Sequence, residues 1–373
     1  SQQAGCAVLQ RLLTGALDRP VADPLVWTAD GKTLLFNVAD DRVSYVGRTT
    51  TGGGAVEKLT SGRRTVSNLS RGTDGALTLL AGTATDIGEV YAFENGTFRK
   101  LTHQNDALFA ELQLGITEDF TSKSKDGTIV NSLMVKPASY AAGKKYPLLL
   151  YIHGGPNGQD EHEFSFDREL FAANGYVVLA VNYRGSNGRG SAFQKAIFAD
   201  WGNKEVVDLL GAVDQAIAAG VADPERLGIG GWSYGGILTD YSIATDPRFK
   251  AAVSGAGSAL QLSMYGSDQY IVQYEREIGV PWKTRDLWIK ISYPFFQADR
   301  IKTPTLFLGG ESDFNVPIIG GEQMYQALKS MGIDTQLVIY PSQFHGLTVP
   351  SYQRDKLQRY LAWYDKYLKP AAK

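Results

Sequence analysis

A glycine-rich turn between a strand-like run and a helix-like run constrains this chain more than any other feature of its sequence. The segment Gly231-Trp232-Ser233-Tyr234-Gly235-Gly236 follows the apolar run Leu227-Gly228-Ile229 and precedes a helical stretch. It matches the pattern G-x-S-x-G, whose glycines permit a sharp strand-to-helix turn with the serine side chain exposed above a sheet. The pattern therefore predicts a nucleophilic Ser233 at the carboxyl edge of a β-sheet.

The surrounding sequence indicates what kind of sheet this is. From about residue 115 onward, strand-like runs alternate with helical patterns, which is typical of a parallel sheet with helices on both faces. Helices are predicted at 203–219, which carries one apolar stripe, and at 350–368. The predicted strands are 146–152, 176–182, 227–231, 251–254, 305–308 and 336–340.

A serine hydroxyl needs a base, and the order of residues along the chain suggests one. In α/β-hydrolases the order is nucleophile, acid, histidine, and His345 is the only one of four histidines that follows Ser233. Asp313 follows the strand 305–308, whereas Asp334 precedes a strand and is expected at the opposite edge. Glu311 stays open as an alternative acid. We therefore predict a triad of Ser233, Asp313 and His345, in which the acid orients the histidine and stabilises its imidazolium.

An oxyanion hole completes this chemistry. One donor in this fold is the backbone N–H after the nucleophile, which belongs to Tyr234, and the second comes from the loop after an earlier strand. Here that loop is His153-Gly154-Gly155-Pro156. We expect Gly155 N–H to be the second donor and His153 to have a structural role.

The N-terminal part follows a different pattern, with short strands separated by turns. Asp30-Gly31 recurs as Asp74-Gly75, and Leu59-Thr60 recurs as Leu101-Thr102, at spacings of about 42 to 44 positions. A repeat of this length predicts β-propeller blades, although two unrelated hairpin meanders would look similar. We expect residues 1–112 to form about two blades and residues 113–373 to form an α/β-hydrolase domain.

Two blades cannot close a ring, because propellers typically have 4–8. The expectation is therefore that this chain is the C-terminal part of a longer protein. Both a companion N-terminal propeller fragment and self-association into a homo-oligomer through open blade edges remain open.

Composition limits the classes of partner. The formal net charge of -2 and the pI of about 6.1 argue against nucleic-acid binding. The single cysteine, Cys6, excludes an internal disulfide and is expected to be a structural or incidental thiol, and no Cys/His cluster has metal-site spacing. With no long apolar run and no intact signal peptide, we expect a soluble protein of the cytoplasm or periplasm, without metal or cofactor.

Six segments together resemble the prolyl oligopeptidase family of serine peptidases, particularly its acylaminoacyl-peptidase and dipeptidyl-peptidase-like bacterial branch. They are His153-Gly154-Gly155-Pro156, Asn182-Tyr183-Arg184-Gly185-Ser186, Asp200-Trp201-Gly202, Gly231-Trp232-Ser233-Tyr234-Gly235-Gly236, Asp313 with Asn315-Val316-Pro317, and Phe344-His345-Gly346. The resemblance implies the same triad and oxyanion donors, a propeller before the hydrolase domain, and short peptides as substrates.

The resemblance also implies a substrate pocket in an aromatic-rich tract, where Tyr265, Tyr270, Trp282 and Trp288 are the candidate pocket residues. Packing against the propeller is an equal alternative for each of them. Some acylaminoacyl-peptidases carry arginine two residues after the catalytic aspartate, and Asn315 stands there instead. A preference for acylated substrates is therefore not implied.

Other functions use the same scaffold. A carboxylesterase would share all of this machinery, and so would a fragment that is inactive without a companion propeller chain. A binding module on an inactive scaffold is disfavoured, because each triad position holds a competent residue type.

Overall fold

Eight antiparallel strands form two four-stranded sheets in the N-terminal part of the chain. The structure is a computed structural model that describes residues 13–94 and 96–369, so Cys6 lies outside the described residues. The first sheet contains β1 (Val21–Trp27), β2 (Thr33–Asp40), β3 (Val43–Thr50) and β4 (Glu57–Lys58). The second contains β5 (Thr65–Arg71), β6 (Leu77–Thr83), β7 (Asp86–Glu94) and β8 (Thr97–Lys100).

Each sheet ends in the same pair of hydrogen bonds, which explains why the Leu-Thr pair recurs in the sequence. In the first sheet Leu59 N–H donates to Val46 O at 2.8 Å, and Val46 N–H donates to Thr60 Oγ1 at 3.0 Å. In the second, Leu101 N–H donates to Val90 O at 2.8 Å, and Val90 N–H donates to Thr102 Oγ1 at 2.9 Å. The recurring Leu-Thr pair therefore ends each sheet with the same pair of hydrogen bonds.

These sheets belong to one compact unit, formed by residues 13–110 with the short segments 161–164 and 188–191. Its core includes Leu35, Val46, Leu69 and Leu79, which come from both sheets. A helix α1 (Asp106–Glu111) follows the second sheet.

A mixed eight-stranded sheet forms the centre of the second unit, which contains residues 111–160, 165–187 and 192–369. Its strands are β9 (Ile116–Lys123), β10 (Ile129–Lys136), β11 (Tyr146–Ile152), β12 (Val177–Val181), β13 (Ala222–Trp232), β14 (Ala251–Gly255), β15 (Thr305–Gly310) and β16 (Thr335–Tyr340). They lie in the order β16-β15-β14-β13-β11-β12-β10-β9. The six strands β11 to β16 are parallel, and β10 and β9 continue the sheet antiparallel beside β12.

The helices of the rest of the chain are α2 (Phe166–Ala173), α3 (Ser191–Gln194), α4 (Lys204–Ala218), α5 (Tyr234–Thr245), α6 (Ile271–Glu277), α7 (Arg285–Ile291), α8 (Tyr293–Phe296), α9 (Ile319–Ser330) and α10 (Pro350–Leu368). None of the helices in the described part of the chain is both long and apolar enough to cross a bilayer.

Alternating strand residues supply two cores, one on each face of the sheet. Leu148 and Leu150 of β11 pack in the core that contains α4, α5 and α9, whereas Leu149 packs in the core that contains α2 and α10. This alternation follows from the two-residue period of a strand, and burial on both faces explains why the central strands are almost wholly apolar.

The predicted elements of this unit are present, with differences at the edges. All six predicted strands and both predicted helices form, and β13 begins five residues earlier than expected, at Ala222. The strands β9 and β10 were not predicted, because β9 is a largely polar edge strand and the polar pair Asn131 and Ser132 interrupts the apolar residues of β10.

Candidate active site

Ser233 occupies a sharp turn between the end of β13 and the start of α5. Its backbone has φ 63° and ψ -127°, a conformation that side-chain-bearing residues rarely adopt. The positions on either side of this turn have no room for a side chain. A Cβ at Gly231 would lie 2.3 Å from the carbonyl oxygen of Ile152, and a Cβ at Gly235 would lie 2.1 Å from the same oxygen. The central strands thus hold Ser233 in a strained position of the kind that clusters at functional sites.

His345 and Asp313 meet at the same edge of the sheet, after β16 and β15 respectively. His345 Nδ1 lies 2.8 Å from Asp313 Oδ2. The other carboxylate oxygen accepts the backbone N–H groups of Asn315 and Val316, at 2.8 and 2.9 Å. Because the carboxylate is an acceptor, Nδ1 carries the hydrogen, and in the neutral ring Nε2 has the lone pair.

Burial and position distinguish Asp313 from the other acids considered, Glu311 and Asp334. The Asp313 side chain is 0% exposed, whereas that of His345 is 25% exposed. Glu311 is exposed and accepts the backbone N–H of Ser342. Asp334 precedes β16 and is paired with Lys366 near the other end of the strand. The structure therefore brings Asp313, and neither alternative, to His345.

Trp232 connects the turn to the histidine loop. Its indole Nε1 donates to the backbone oxygen of His345 at 2.9 Å, and the two ring centroids are 6.4 Å apart. Because Trp232 immediately precedes Ser233, this hydrogen bond anchors the loop of His345 beside the Ser233 turn.

Two backbone N–H groups near Ser233 are candidates for binding an oxyanion. Tyr234 is the first residue of α5, so its N–H has no acceptor within the helix. Gly155 N–H donates to no group in residues 13–94 and 96–369. A Cβ at Gly154 would lie 3.1 Å from Ser233 Cβ, so this glycine loop approaches the serine closely.

His153, in the same loop, is held in a structural network. Its Nδ1 lies 2.7 Å from Gly154 O and therefore carries the hydrogen, which leaves Nε2 to accept from Ser186 Oγ at 2.9 Å. The ring stacks on Tyr183 with centroids 4.5 Å apart. Burial lowers the pKa of His153 and thereby favours the neutral ring.

The side chain of Tyr234 points towards α4 and forms a hydrogen bond with Glu205 of that helix. Tyr234 OH donates to Glu205 Oε1 at 2.7 Å, and Gly202 N–H donates to the same oxygen at 3.2 Å. Burial raises the pKa of Glu205 to about 7. Burial, followed by the neighbouring Glu205 charge, raises the pKa of Tyr234 well above its usual value. This hydrogen bond holds the Tyr234 ring in place beside α4.

A cavity of about 470 Å³ opens beside Ser233, Tyr234 and Gly155. Its other walls are mostly apolar or aromatic. They are formed by Pro156, Ile197, Phe198, Trp201, Ile237, Met264, Tyr270, Tyr274 and Val316, with the polar residues Asn157, Gln194, Lys195, Gln261, Gln273, Glu277 and Asn315. A concave apolar space with a few polar groups is the usual form of a ligand site.

Of the four aromatic residues predicted for the pocket, Tyr270 lies in this wall and the other three do not. Trp288 is buried and donates through Nε1 to Gly279 O at 2.9 Å. Tyr265 packs against Trp288 at 5.6 Å, and Trp282 is 73% exposed. These three form a packed cluster and its surface rather than the cavity wall.

Trp201 and Glu277 belong to the wall but were not predicted as site residues. Trp201 lies in the Asp200-Trp201-Gly202 segment of the family resemblance, and that segment was the sequence signal that could have indicated it. Glu277 ends α6 and contacts Trp201 across 76 positions of sequence, so no local pattern indicated it. In the described ranges 13–94 and 96–369, no group of three His, Cys, Asp or Glu residues could hold a metal ion.

Comparisons with known proteins agree with this architecture. The uncharacterized peptidase YuxL of Bacillus subtilis is 35% identical over 288 residues, covering 75% of this chain and 44% of that protein. Dipeptidyl-peptidase 5 of Porphyromonas gingivalis is 27% identical, covering 93% of this chain and 52% of that protein. The solved structure of an acylaminoacyl peptidase from Pyrococcus horikoshii matches with a TM-score of 0.87 at 26% identity, covering 97% of this chain and 58% of that one.

This chain thus spans about half the length of the curated relatives it matches. The sequence profile described as the prolyl oligopeptidase family matches residues 162–371, which include Ser233, Asp313 and His345. Since that match covers more than half of the chain, the chain belongs to the prolyl oligopeptidase family.

Proposed function

We propose that this protein is a serine peptidase that hydrolyses short peptides through an acyl-enzyme formed on Ser233. The observation that carries the proposal is the hydrogen-bonded pair of His345 and Asp313, anchored through Trp232 beside the strained Ser233 turn. Two of the relatives are named as peptidases and the third is an acylaminoacyl peptidase, which supports peptides as the substrate class.

In this mechanism Ser233 Oγ attacks the scissile carbonyl carbon while His345 Nε2 takes its proton. The N–H groups of Tyr234 and Gly155 stabilise the oxyanion, and each such donor contributes a factor of about 10²–10³ in rate. The imidazolium, stabilised by Asp313, then gives its proton to the leaving amine. Water, deprotonated by His345, hydrolyses the ester and restores Ser233.

We also propose that the two four-stranded sheets are blades of a β-propeller, as the repeated Leu-Thr closure supports. A propeller of 4–8 blades needs more strands than this chain contributes. The missing blades would come from a preceding segment of a longer chain, from a companion fragment or from another copy. The complete propeller would admit short peptides and exclude folded proteins.

Active-site labelling tests the assignment. We expect a fluorophosphonate probe to label one site per chain, on the peptide that contains Ser233, and we expect Ser233→Ala to abolish labelling. Ser70→Ala, at an exposed serine of β5, is the matched control and should label normally. Labelling of the folded protein at another residue would overturn the site, and so would an absence of labelling that persists after the missing propeller segment has been added.

The choice between peptidase and carboxylesterase needs a second measurement. We expect wild type to hydrolyse both an aminoacyl 4-nitroanilide and a p-nitrophenyl ester, and Ser233→Ala to hydrolyse neither. Turnover of the ester without the amide would refute the peptidase proposal and leave the carboxylesterase.

A further inference from the structure

The cavity beside Ser233 has one acidic side chain in its wall, that of Glu277. Its Oε1 accepts Trp201 Nε1–H at 2.6 Å and the backbone N–H of Ala199 at 3.1 Å. Its Oε2 accepts only the Gln273 amide, at 3.3 Å, within the described ranges. Oε1 is thus fully engaged, while Oε2 keeps acceptor capacity for another donor.

The charge of Glu277 is not neutralised by the protein. No lysine or arginine nitrogen among the described residues lies within 4 Å of its carboxylate, including Lys195, which lines the same cavity. The neighbouring wall is aromatic, formed by Trp201, Tyr270 and Tyr274. The three N–H donors leave this half-buried carboxylate without an ion-pair partner among the described residues, and a cation bound at Oε2 would supply one.

A structural role alone does not account for a carboxylate at this position. A neutral glutamine could also accept the Trp201 and Ala199 N–H groups through its amide oxygen, in weaker hydrogen bonds, so these two bonds do not by themselves require a carboxylate. The negative charge adds attraction for a cation at Oε2, and the faces of the aromatic rings attract cations as well.

We propose that Glu277 is a specificity-determining residue that binds a positively charged nitrogen group of the substrate inside the cavity beside Ser233. The inference rests on the proposed function, because it assigns the cavity to the substrate of that same site. The cation is an ammonium or guanidinium group, carried either by a basic side chain next to the scissile bond or by a free N-terminus.

Paired coumarylamide substrates test this proposal and distinguish the two sources. Acetyl-Ala-Lys and acetyl-Ala-norleucine amides differ in a side-chain charge, whereas Ala-norleucine and acetyl-Ala-norleucine amides differ in an N-terminal charge. For each pair, the ratio of kcat/KM values for the charged and the neutral substrate is measured in wild type, Glu277→Gln and Glu275→Gln. Glu275 lies on the same helix, is exposed and binds Tyr265 OH, so its variant removes the same charge outside the cavity.

We expect Glu277→Gln to lower one of the two ratios by about tenfold or more, as for loss of a hydrogen bond to a charged group. A fall in the lysine ratio identifies the side chain as the source, and a fall in the N-terminal ratio identifies the α-ammonium. Glu275→Gln should leave both ratios as in wild type. Two ratios that stay unchanged in Glu277→Gln, or that fall equally in both variants, would overturn the inference.

A binding measurement keeps this test independent of turnover. In Ser233→Ala chains with and without Glu277→Gln, calorimetry gives the affinities for the same three peptides. We expect a charged peptide to bind more tightly than its neutral partner only where Glu277 is present. If wild type cleaves none of the amides yet this difference appears, the proposed function fails and the Glu277 site stands. Equal affinities for charged and neutral peptides would remove the site.

Discussion

At the residue scale, Ser233 is held in a costly backbone conformation by its surroundings. The carbonyl of Ile152 and the glycines on both sides leave the turn no room to relax. A residue held in such a conformation stores of order 1–3 kcal/mol, which the packing of the central strands must outweigh. The site therefore combines one strained residue with a well-bonded acid, since Asp313 accepts three hydrogen bonds.

The strain at Ser233 predicts an ordering of stabilities. Glycine adopts φ 63° without a Cβ clash, whereas alanine keeps the Cβ. We expect Ser233→Gly to be more stable than Ser233→Ala by about 1 kcal/mol, after the larger chain entropy of unfolded glycine is included. Urea unfolding of the two variants measures this difference, and an alanine variant of equal or higher stability would show that the turn is unstrained.

The role of Asp313 predicts a large kinetic effect without a large structural one. In Asp313→Asn the side-chain oxygen can still accept the Asn315 and Val316 N–H groups, but the amide no longer favours hydrogen on Nδ1 of His345. We expect kcat to fall by about 10⁴. Glu311→Gln, which changes the alternative acid, should have little effect. Comparable losses in the two variants would contradict the assignment.

Single residues also show where sequence reasoning reaches its limit. Ser233, Asp313 and His345 could be proposed because each follows a recognisable strand, and strand ends at one edge meet in space. The aromatic residues could not be sorted in this way. Tyr270 in the cavity wall and Trp288 in the core are both large and apolar, and only the path of the chain between them distinguishes the two positions.

At the element scale, α5 is buried on all sides and contains an ionisable group in its interior. Asp240 is 0% exposed, and neither of its oxygens has a hydrogen-bond partner within residues 13–94 and 96–369. Burial raises the pKa of Asp240 from 3.8 to about 8. The helix that follows the proposed nucleophile therefore carries a carboxylic acid that is mostly neutral at pH 7.

This burial predicts a pH-dependent stability. From about pH 4 to pH 8 the unfolded chain has lost the Asp240 proton and the folded chain retains it. The folded state then binds more protons, so Asp240 lowers stability as pH rises, by roughly 1 kcal/mol per pH unit within that window. We expect the stability of Asp240→Asn relative to wild type to increase from pH 5 to pH 8.

Chemical unfolding at several pH values measures this trend. Asp286→Asn, at a side chain that is 90% exposed, is the control and should show a flat difference. A flat difference for Asp240→Asn as well would mean that the carboxyl group ionises inside the folded protein.

Strands with a continuous apolar run and helices with an apolar stripe could be predicted from the sequence, whereas strands without such a run could not. The parallel strands are apolar on both faces, so their runs stand out, and α4 shows its buried stripe at Val206, Leu209 and Val213. The antiparallel strand β9 is a largely polar edge strand, and in its neighbour β10 the polar pair Asn131 and Ser132 divides the apolar residues into two short runs. Their short apolar signals resemble those of ordinary loops.

At the scale of the whole molecule, the chain consists of two units with separate cores. The larger unit contains the proposed triad and cavity. The smaller one contributes eight strands, and the proposed propeller needs further blades to close. The proposed peptidase chemistry and the proposed size filter therefore depend on different parts of the protein.

Size selectivity tests this division. We expect the present chain to hydrolyse unfolded casein and short peptides alike, and addition of the missing propeller segment to lower casein hydrolysis several-fold more than peptide hydrolysis. The ratio of the two rates, measured before and after addition, reports the filter. An unchanged ratio with the segment stably bound would argue against a filtering propeller.

The link from Trp232 to the loop of His345 has a consequence for the timing of synthesis. The nucleophile turn leaves the ribosome well before the strands that carry the acid and the base, and N-terminal parts of a chain generally fold first. A nascent chain that ends after α5 would display the strained serine with no histidine to activate it, and the indole of Trp232 would have no loop to hold. The order of the residues along the chain thus delays assembly of the proposed triad until β16 and the loop of His345 that follows it have been made.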